Sequence, residues 1–243
     1  MSPTALSPPL GVRNSNPPTE NMQAWYDASD VATLTITANK VSAWADKSPS
    51  GFDLAQGTAG VRPLYNATPR KINGVIIPEW TAAGEFMTSS LPTSSRTTTT
   101  FFAGLLDNLS ASRTIVGTSA SGGQEVRIFT NALIQTLKGG VTVLSSGPNL
   151  YPSTTKPFVF CQRLTATTIE HSVVGNFVVN AEATTFTGGL TFRLGLDQSG
   201  TVPWDGLIAE VVRYSTELND DEVGQVLDYL VAKWMRLPTS ILG

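Results

Sequence analysis

Apolar and polar residues alternate with a strand-like period along most of this 243-residue chain and switch to a helical period once, near the C-terminus. There Val223, Val226, Leu227, Leu230 and Trp234 fall at i, i+3, i+4, i+7 and i+11 of one face, with Gln225, Asp228, Tyr229 and Lys233 away from its centre. Asn219 is placed to accept from the exposed N–H groups of a first turn. Asp220, Asp221 and Glu222 set negative charge at the positive end of the dipole, and Glu222 stands in capping-box spacing from Asn219. The pattern predicts a helix from there to near Arg236, where Lys233 and Arg236 complement the other end of the dipole and Pro238 blocks continuation. Before it, Leu207 to Tyr214 reads as a strand apolar on both faces, entered through an Asp205-Gly206 turn. Such a strand belongs at the centre of a sheet covered on two sides.

Upstream, the ranges 97–106, 113–118, 125–130, 133–137, 141–144, 158–164, 168–174, 177–179 and 190–196 are all strand-like, with Gly, Asn or Ser at most joints. Val126-Arg127-Ile128-Phe129 and Phe192-Arg193-Leu194 alternate, which predicts sheets with one solvated face. Asn176, after Gly175, marks a hairpin turn. Between 24 and 80 shorter strands are punctuated by the turns Ser48-Pro49-Ser50-Gly51 and Asn73-Gly74. Regularly spaced short strands with one helix predict an all-β sandwich of two antiparallel sheets, residues 23–236, with a C-terminal α-helix.

The two ends do not share this pattern. Residues 1–22 scatter Pro3, Pro8, Pro9, Pro17 and Pro18 among Ser, Thr and Asn, and read as an extended arm, a composition otherwise typical of a disordered leader. Leu6, Leu10 and Val12 alone bury too little to offset the entropy of ordering it, so a partner surface is expected to do so, with Pro8, Pro9, Leu10, Pro17 and Pro18 as contacts. The tail 237–243 carries Ile241 and Leu242 with no periodic structure to bury them, and is expected to need a surface as well.

Composition narrows the partners. Charged residues are 14% of the chain and the net charge is -3, the wrong sign and too sparse for holding nucleic acid by its phosphates. No apolar run is long enough to cross a bilayer, and no secretory signal is legible at the N-terminus. The single cysteine, Cys161, lies in an apolar run and reads as a buried, inert thiol.

Several stretches resemble a known family. Trp25-Tyr26-Asp27-Ala28-Ser29, the turn Val41-Ser42-Ala43-Trp44-Ala45-Asp46-Lys47-Ser48, the strand Arg62-Pro63-Leu64-Tyr65 and the Asn73-Gly74 hairpin are similar to the N-terminal part of laminin-G-like, concanavalin A-like domains. Gly206 to Val211 and Tyr229-Leu230-x-x-Lys233-Trp234 resemble the last strand and helix of the same family, which is common in bacterial and phage proteins. The resemblance covers most of residues 25–236. It implies a concanavalin A-like jelly-roll fold, places Trp44 and Trp234 in structural motifs, and says little about activity.

The search for chemistry yields few candidates. A hydrolytic jelly roll needs carboxylates at alternate positions of one strand, and none is present; the acidic run 217–222 is explained by capping. Glu210, alone on its strand, is expected to hydrogen-bond to neighbouring backbone or an arginine. His171, the only histidine, has neither a nucleophile elbow nor a second soft ligand near it in sequence and is expected on a strand surface. Asp197 and Asp205, with Asp27 and Asp30, offer oxygen ligands of the kind calcium takes, and the resemblance implies calcium in many relatives, although turn formation is the favoured reading. Trp25, Trp80 and Trp204 lie beside turns, where a ring could stack on a sugar or close the end of a core; Trp44 shares the setting. The resulting expectation is a non-enzymatic structural or binding protein without a cofactor. Its first form is a bacteriophage virion component, a capsid decoration or head-tail protein present in many copies, bound through its arm to partners such as the major capsid protein. The alternative is a lectin-like carbohydrate-binding module for cell-surface glycans; a degenerate glycoside hydrolase is a third.

Overall fold

The computed structural model describes the whole chain except residues 1–15, 66–69, 94–96, 121, 132, 139–140, 146–153, 155, 174–175, 182–184, 187–189 and 236–243. Eighteen strands and one α-helix follow in order: β1 (Met22–Asp27), β2 (Leu34–Thr37), β3 (Lys40–Trp44), β4 (Leu54–Ala55), β5 (Lys71–Ile72), β6 (Val75–Ile76), β7 (Glu79–Thr81), β8 (Met87–Ser89), β9 (Thr98–Leu106), β10 (Arg113–Thr118), β11 (Gln124–Ile128), β12 (Ile134–Lys138), β13 (Val141–Ser145), β14 (Phe158–Leu164), β15 (Thr168–Val173), β16 (Asn176–Ala181), β17 (Phe192–Leu194), β18 (Asp205–Tyr214) and α1 (Asp220–Trp234). One sheet runs β1-β18-β9-β14-β15-β16, with β7 also on β18; the other runs β13-β12-β11-β10-β17-β8-β4-β3-β2. Neighbours in both are antiparallel, as in β18 on β9 and β14 on β15. This is the all-β sandwich that the strand pattern predicts, in the jelly-roll form that the resemblance implies.

β18 is the central strand expected, with all ten residues buried between β1 and β9. The Asp205-Gly206 pair is not an entry turn, however. Both residues already pair with Thr81 and Trp80 of β7. Gly206 sits at φ 139, and a Cβ there would meet the Leu105 carbonyl oxygen at 2.1 Å. Glycine is needed there for the close approach of two strands, which a sequence signal for a turn cannot be told from.

α1 lies against β9 and β14, on the face of its sheet turned away from the second sheet. The capping box is complete: Asn219 accepts from the Glu222 N–H at 3.0 Å, and Glu222 accepts from the Asn219 N–H at 2.8 Å. The helix ends at Trp234, two residues before the expected Arg236, with the Met235 N–H closing on Val231. The β5–β6 hairpin, turned at Asn73 and Gly74 with φ 51 and 84 as that pair predicts, reaches over so that the Asn73 side chain donates to the Lys233 carbonyl at 2.9 Å. Leu230 has no exposed surface. Leu230→Asp would lose that packing and bury a charge, so a loss of about 4 kcal/mol is expected, checked by the midpoint of urea unfolding.

The core between the sheets holds Trp44, Trp80, Trp204, Phe102 and Phe160, and a polar string crosses it. Gln124 donates to Gln162, Gln162 to Thr136, and Thr136 meets His171 Nε2 at 2.7 Å, joining β11 and β12 to β14 and β15. His171 is therefore fully buried, not on a strand surface. The solvated face expected from the alternation is also covered in part: Glu125 is fully buried, and Arg127 bridges it to Asp197.

The sandwich begins earlier than residue 23. Pro17 is buried, the Tyr214 hydroxyl donates to the Pro18 carbonyl at 2.8 Å, and the Ser215 N–H donates to Asn21 at 3.0 Å. Pro17 and Pro18 thus pack on their own domain instead of extending toward a partner. Pro8, Pro9, Leu10, Ile241 and Leu242 lie outside the described residues, as does the Gly175 end of the β15–β16 turn.

Candidate functional site

Four of the motifs, those at 25–29, 41–48, 206–211 and 229–234, contribute side chains to one buried cluster. From β18, Glu210 has no exposure; its Oε1 accepts from the Trp25 indole at 2.6 Å and the Tyr229 hydroxyl at 2.9 Å. Its Oε2 accepts from the Trp234 indole at 2.6 Å and faces Lys233 Nζ at 2.8 Å. Lys233 also reaches Asp27 Oδ1 at 2.7 Å and donates to the Tyr229 hydroxyl at 2.9 Å. Asp27 Oδ2 takes Lys47 at 2.9 Å, and Lys47 stands 4.3 Å from the centre of the Trp25 ring and 3.2 Å from Asp30. The cluster joins β1, the turn after β3, β18 and α1. Its partners for Glu210 are two indoles, a phenol and a lysine, not the arginine or backbone expected.

Burial sets the electrostatics. It pushes the Glu210 carboxyl and the Tyr229 hydroxyl up. At Asp27 burial acts in the same direction but is outweighed by the hydrogen bonds from Lys233, Ser29 and Lys47, so that carboxyl is held below its usual range. A second polar knot forms the turn itself, where Asp46 accepts from the N–H groups of Trp25, Ser48 and Phe52, each at 2.8 Å.

The other carboxylates named as calcium candidates are engaged too. Asp197 accepts from the Thr201 and Val202 N–H groups, each at 2.8 Å, and from Arg127 at 3.1 Å. Asp205 pairs with Arg113 at 3.0 Å and with Asn108. Among the described residues no three His, Cys, Asp or Glu side chains converge on a common point. Because these oxygens already face N–H groups and cations, a chelator is expected to leave the melting temperature unchanged; a drop would reveal an ion bound to the native state.

The tryptophans require a correction. Trp80 and Trp204 are fully buried and Trp25 is 6% exposed, so none presents a ring face to a sugar. Trp204 instead packs edge-on to Phe102 at 5.3 Å between centroids, and Trp25 is held through Glu210. A residue beside a turn is at the end of a strand, and in a sandwich this wide the strand ends still lie under other strands.

An open depression of about 600 Å³ lies on the surface beside the start of α1, lined by Thr97, Arg163, Thr216, Glu217, Leu218, Asn219 and Asp220. Arg163 forms its inner wall, donating to Glu170 at 2.6 Å, to Asp220 at 2.7 Å and to the Leu218 carbonyl at 3.0 Å. Such a volume suits one or two sugar units, with hydroxyl, amide, guanidinium and carboxylate groups in reach. Sequence reasoning assigned the run 217–222 to helix capping and did not single out Thr97, Arg163 or Thr216. The available signal was Arg163 itself, a charge inside the apolar strand Phe158–Leu164.

No protein-family model matches the chain, and no curated protein matches it. Solved structures do. Trypanosoma rangeli sialidase in complex with the inhibitor DANA matches with a TM-score of 0.60 and 13% identity, over 92% of this chain and 35% of that one. The same sialidase in complex with sialic acid matches at 0.59 and 14%, over 89% and 34%. The Ruminococcus gnavus IT-sialidase CBM40 bound to alpha2,3 sialyllactose matches at 0.48 and 16%, over 56% and 84%. The chain spans about a third of the length of the T. rangeli sialidase chains. At this identity the likeness shows the fold: the chain is an all-β jelly-roll sandwich, similar to the portion of those sialidases that it covers.

Proposed function

We propose that the protein is a non-catalytic, lectin-like module that binds glycans. The observation that carries this reading is the sandwich shared with sialidases, whose structures include complexes with sialic acid and DANA. The open polar depression beside α1 supports it as the place for a saccharide. With Trp25, Trp80 and Trp204 buried, recognition rests on hydrogen bonds from groups such as Asn219 and Thr216 rather than on stacking. Absence of catalysis belongs to the proposal: the buried carboxylates Glu210 and Asp27 are committed to the network that holds α1, and Asp220, one of the two carboxylates lining the depression, is paired with Arg163. A glycan array including sialylated and neutral oligosaccharides tests it. Saturable binding to a defined subset, with no release of free sugar on prolonged incubation, is expected; turnover of a bound sialoside would replace the module with an enzyme.

The virion reading is a second proposal, and its support is the composition of residues 1–22. With Pro17 buried and the Pro18 carbonyl accepting from Tyr214, this reading gives residues 1–15 and the tail 237–243 to a partner such as a major capsid protein or further copies of this chain. Deleting residues 2–15 is expected to leave the melting temperature unchanged. Co-sedimentation with capsids lost on that deletion would favour this reading.

A further inference from the structure

We propose that the Lys233 and Asp27 side chains join in an amide bond, with Glu210 as the proton carrier, so that α1 is tied covalently to β1. The three groups stand as such a reaction requires. Lys233 Nζ lies 2.7 Å from Asp27 Oδ1, next to the carbon it would attack, and 2.8 Å from Glu210 Oε2. The Tyr229 hydroxyl fixes the same nitrogen at 2.9 Å, and Lys47 holds the other Asp27 oxygen, Oδ2, at 2.9 Å. The Asp27 and Glu210 side chains are 4% and 0% exposed, and the rings of Tyr229 and Trp234 stand 5.2 and 5.0 Å from Nζ.

The resting pair is an ammonium and a carboxylate, which do not react. Moving a proton across the 2.7 Å contact from nitrogen to Asp27 leaves an amine and a carboxylic acid, a minor form at this site because the contacts from Lys233, Ser29 and Lys47 favour the carboxylate. Glu210 takes a proton from Lys233, and the freed amine lone pair forms the N–C bond at Asp27 Cγ. Charge gathers on Oδ2, where Lys47 offsets it. The C–Oδ1 bond then breaks, and Oδ1 leaves as water with two protons that began on Lys233, one passed through Glu210. One positive and one negative charge are lost together, and nothing is oxidised or reduced. With the Lys233 and Lys47 side chains 21% and 23% exposed, the water has a way out.

The test is the intact mass of the full-length protein, denatured after storage at neutral pH. The wild type is expected to be lighter than its sequence by one water, and proteolysis is expected to release one branched peptide containing Asp27 and Lys233. Lys233→Arg should restore the full mass, and Glu210→Gln should restore it while retaining both reacting side chains. Should Glu210→Gln fail to fold, Asp27→Ala serves as the second variant and should also restore the full mass. A wild type of full mass overturns the proposal, as does a loss of water that persists in Lys233→Arg; a cross-link that persists in Glu210→Gln overturns the role given to Glu210.

Discussion

Glu210→Ala is expected to cost about 4 kcal/mol or more, the largest effect of any single truncation in the fold. The carboxylate is fully buried and satisfies four donors at once: the indoles of Trp25 and Trp234, the Tyr229 hydroxyl and Lys233. Removing one member of a buried ionic network strands the others, and each donor left unpaired adds a penalty of its own, about 1–3 kcal/mol. Conservative replacement separates charge from contact. Glu210→Gln keeps one acceptor oxygen but loses the charge opposite Lys233, so, compared in protein of full intact mass, it should fall between wild type and Glu210→Ala in the midpoint of guanidinium unfolding. Equal midpoints for all three proteins would mean that α1 is held by its apolar face alone.

Acid is the second large effect. His171, buried between the sheets, has its pKa pushed down by burial from 6.5 to about 3. A folded-state pKa depressed below the unfolded value means the unfolded chain binds the proton first. The stability attached to neutral His171 is therefore complete above pH 6.5 and drains away as pH falls toward about 3. The slope approaches about 1.4 kcal/mol per pH unit once the unfolded imidazole is protonated. Gln162, Thr136 and Gln124 make up the polar string around it and carry no charge that could hold an imidazolium. Asp27 and Asp197, whose carboxyls are held low, add a loss of the same sign only below 3.8, while the raised Asp205 and Glu210 act oppositely. His171→Gln isolates the imidazole: unfolding free energies measured from pH 7 to pH 5 should fall for the wild type and stay nearly level for the variant.

These two sites show where sequence reading succeeds and where it stops. Local chemistry was legible: the Asn219–Glu222 capping box, the Asn73-Gly74 hairpin and the apolar run of β18 each depend on residues within a few positions of one another. The bounds of β10 and β14 also agree with the expected ranges, because joints containing Ser or Thr flank each. What escaped depends on contacts across the sandwich. Trp25 and Glu210 are 185 positions apart, and Gln124 and Gln162 are 38 apart, so nothing in either neighbourhood announces the pairing. The tryptophans beside turns could be read either as rings for a sugar or as the end of a core for the same reason, since burial of a strand end is decided by the strand above it. The candidate site was the least legible part, because the depression beside α1 is assembled from β14, the start of β9 and the segment before the helix.

That depression is where glycan binding is most directly tested. Amide chemical shifts of isotope-labelled protein should be followed while sialylated and neutral oligosaccharides are added. Saturable shifts are expected at Thr97, Arg163 and residues 216–220, weakened many-fold in Glu217→Lys, whose exposed side chain is replaced at the rim without touching the core. Shifts that saturate elsewhere on the sandwich, or none up to the solubility of every sugar class tried, would contradict the assignment of this face as a glycan site.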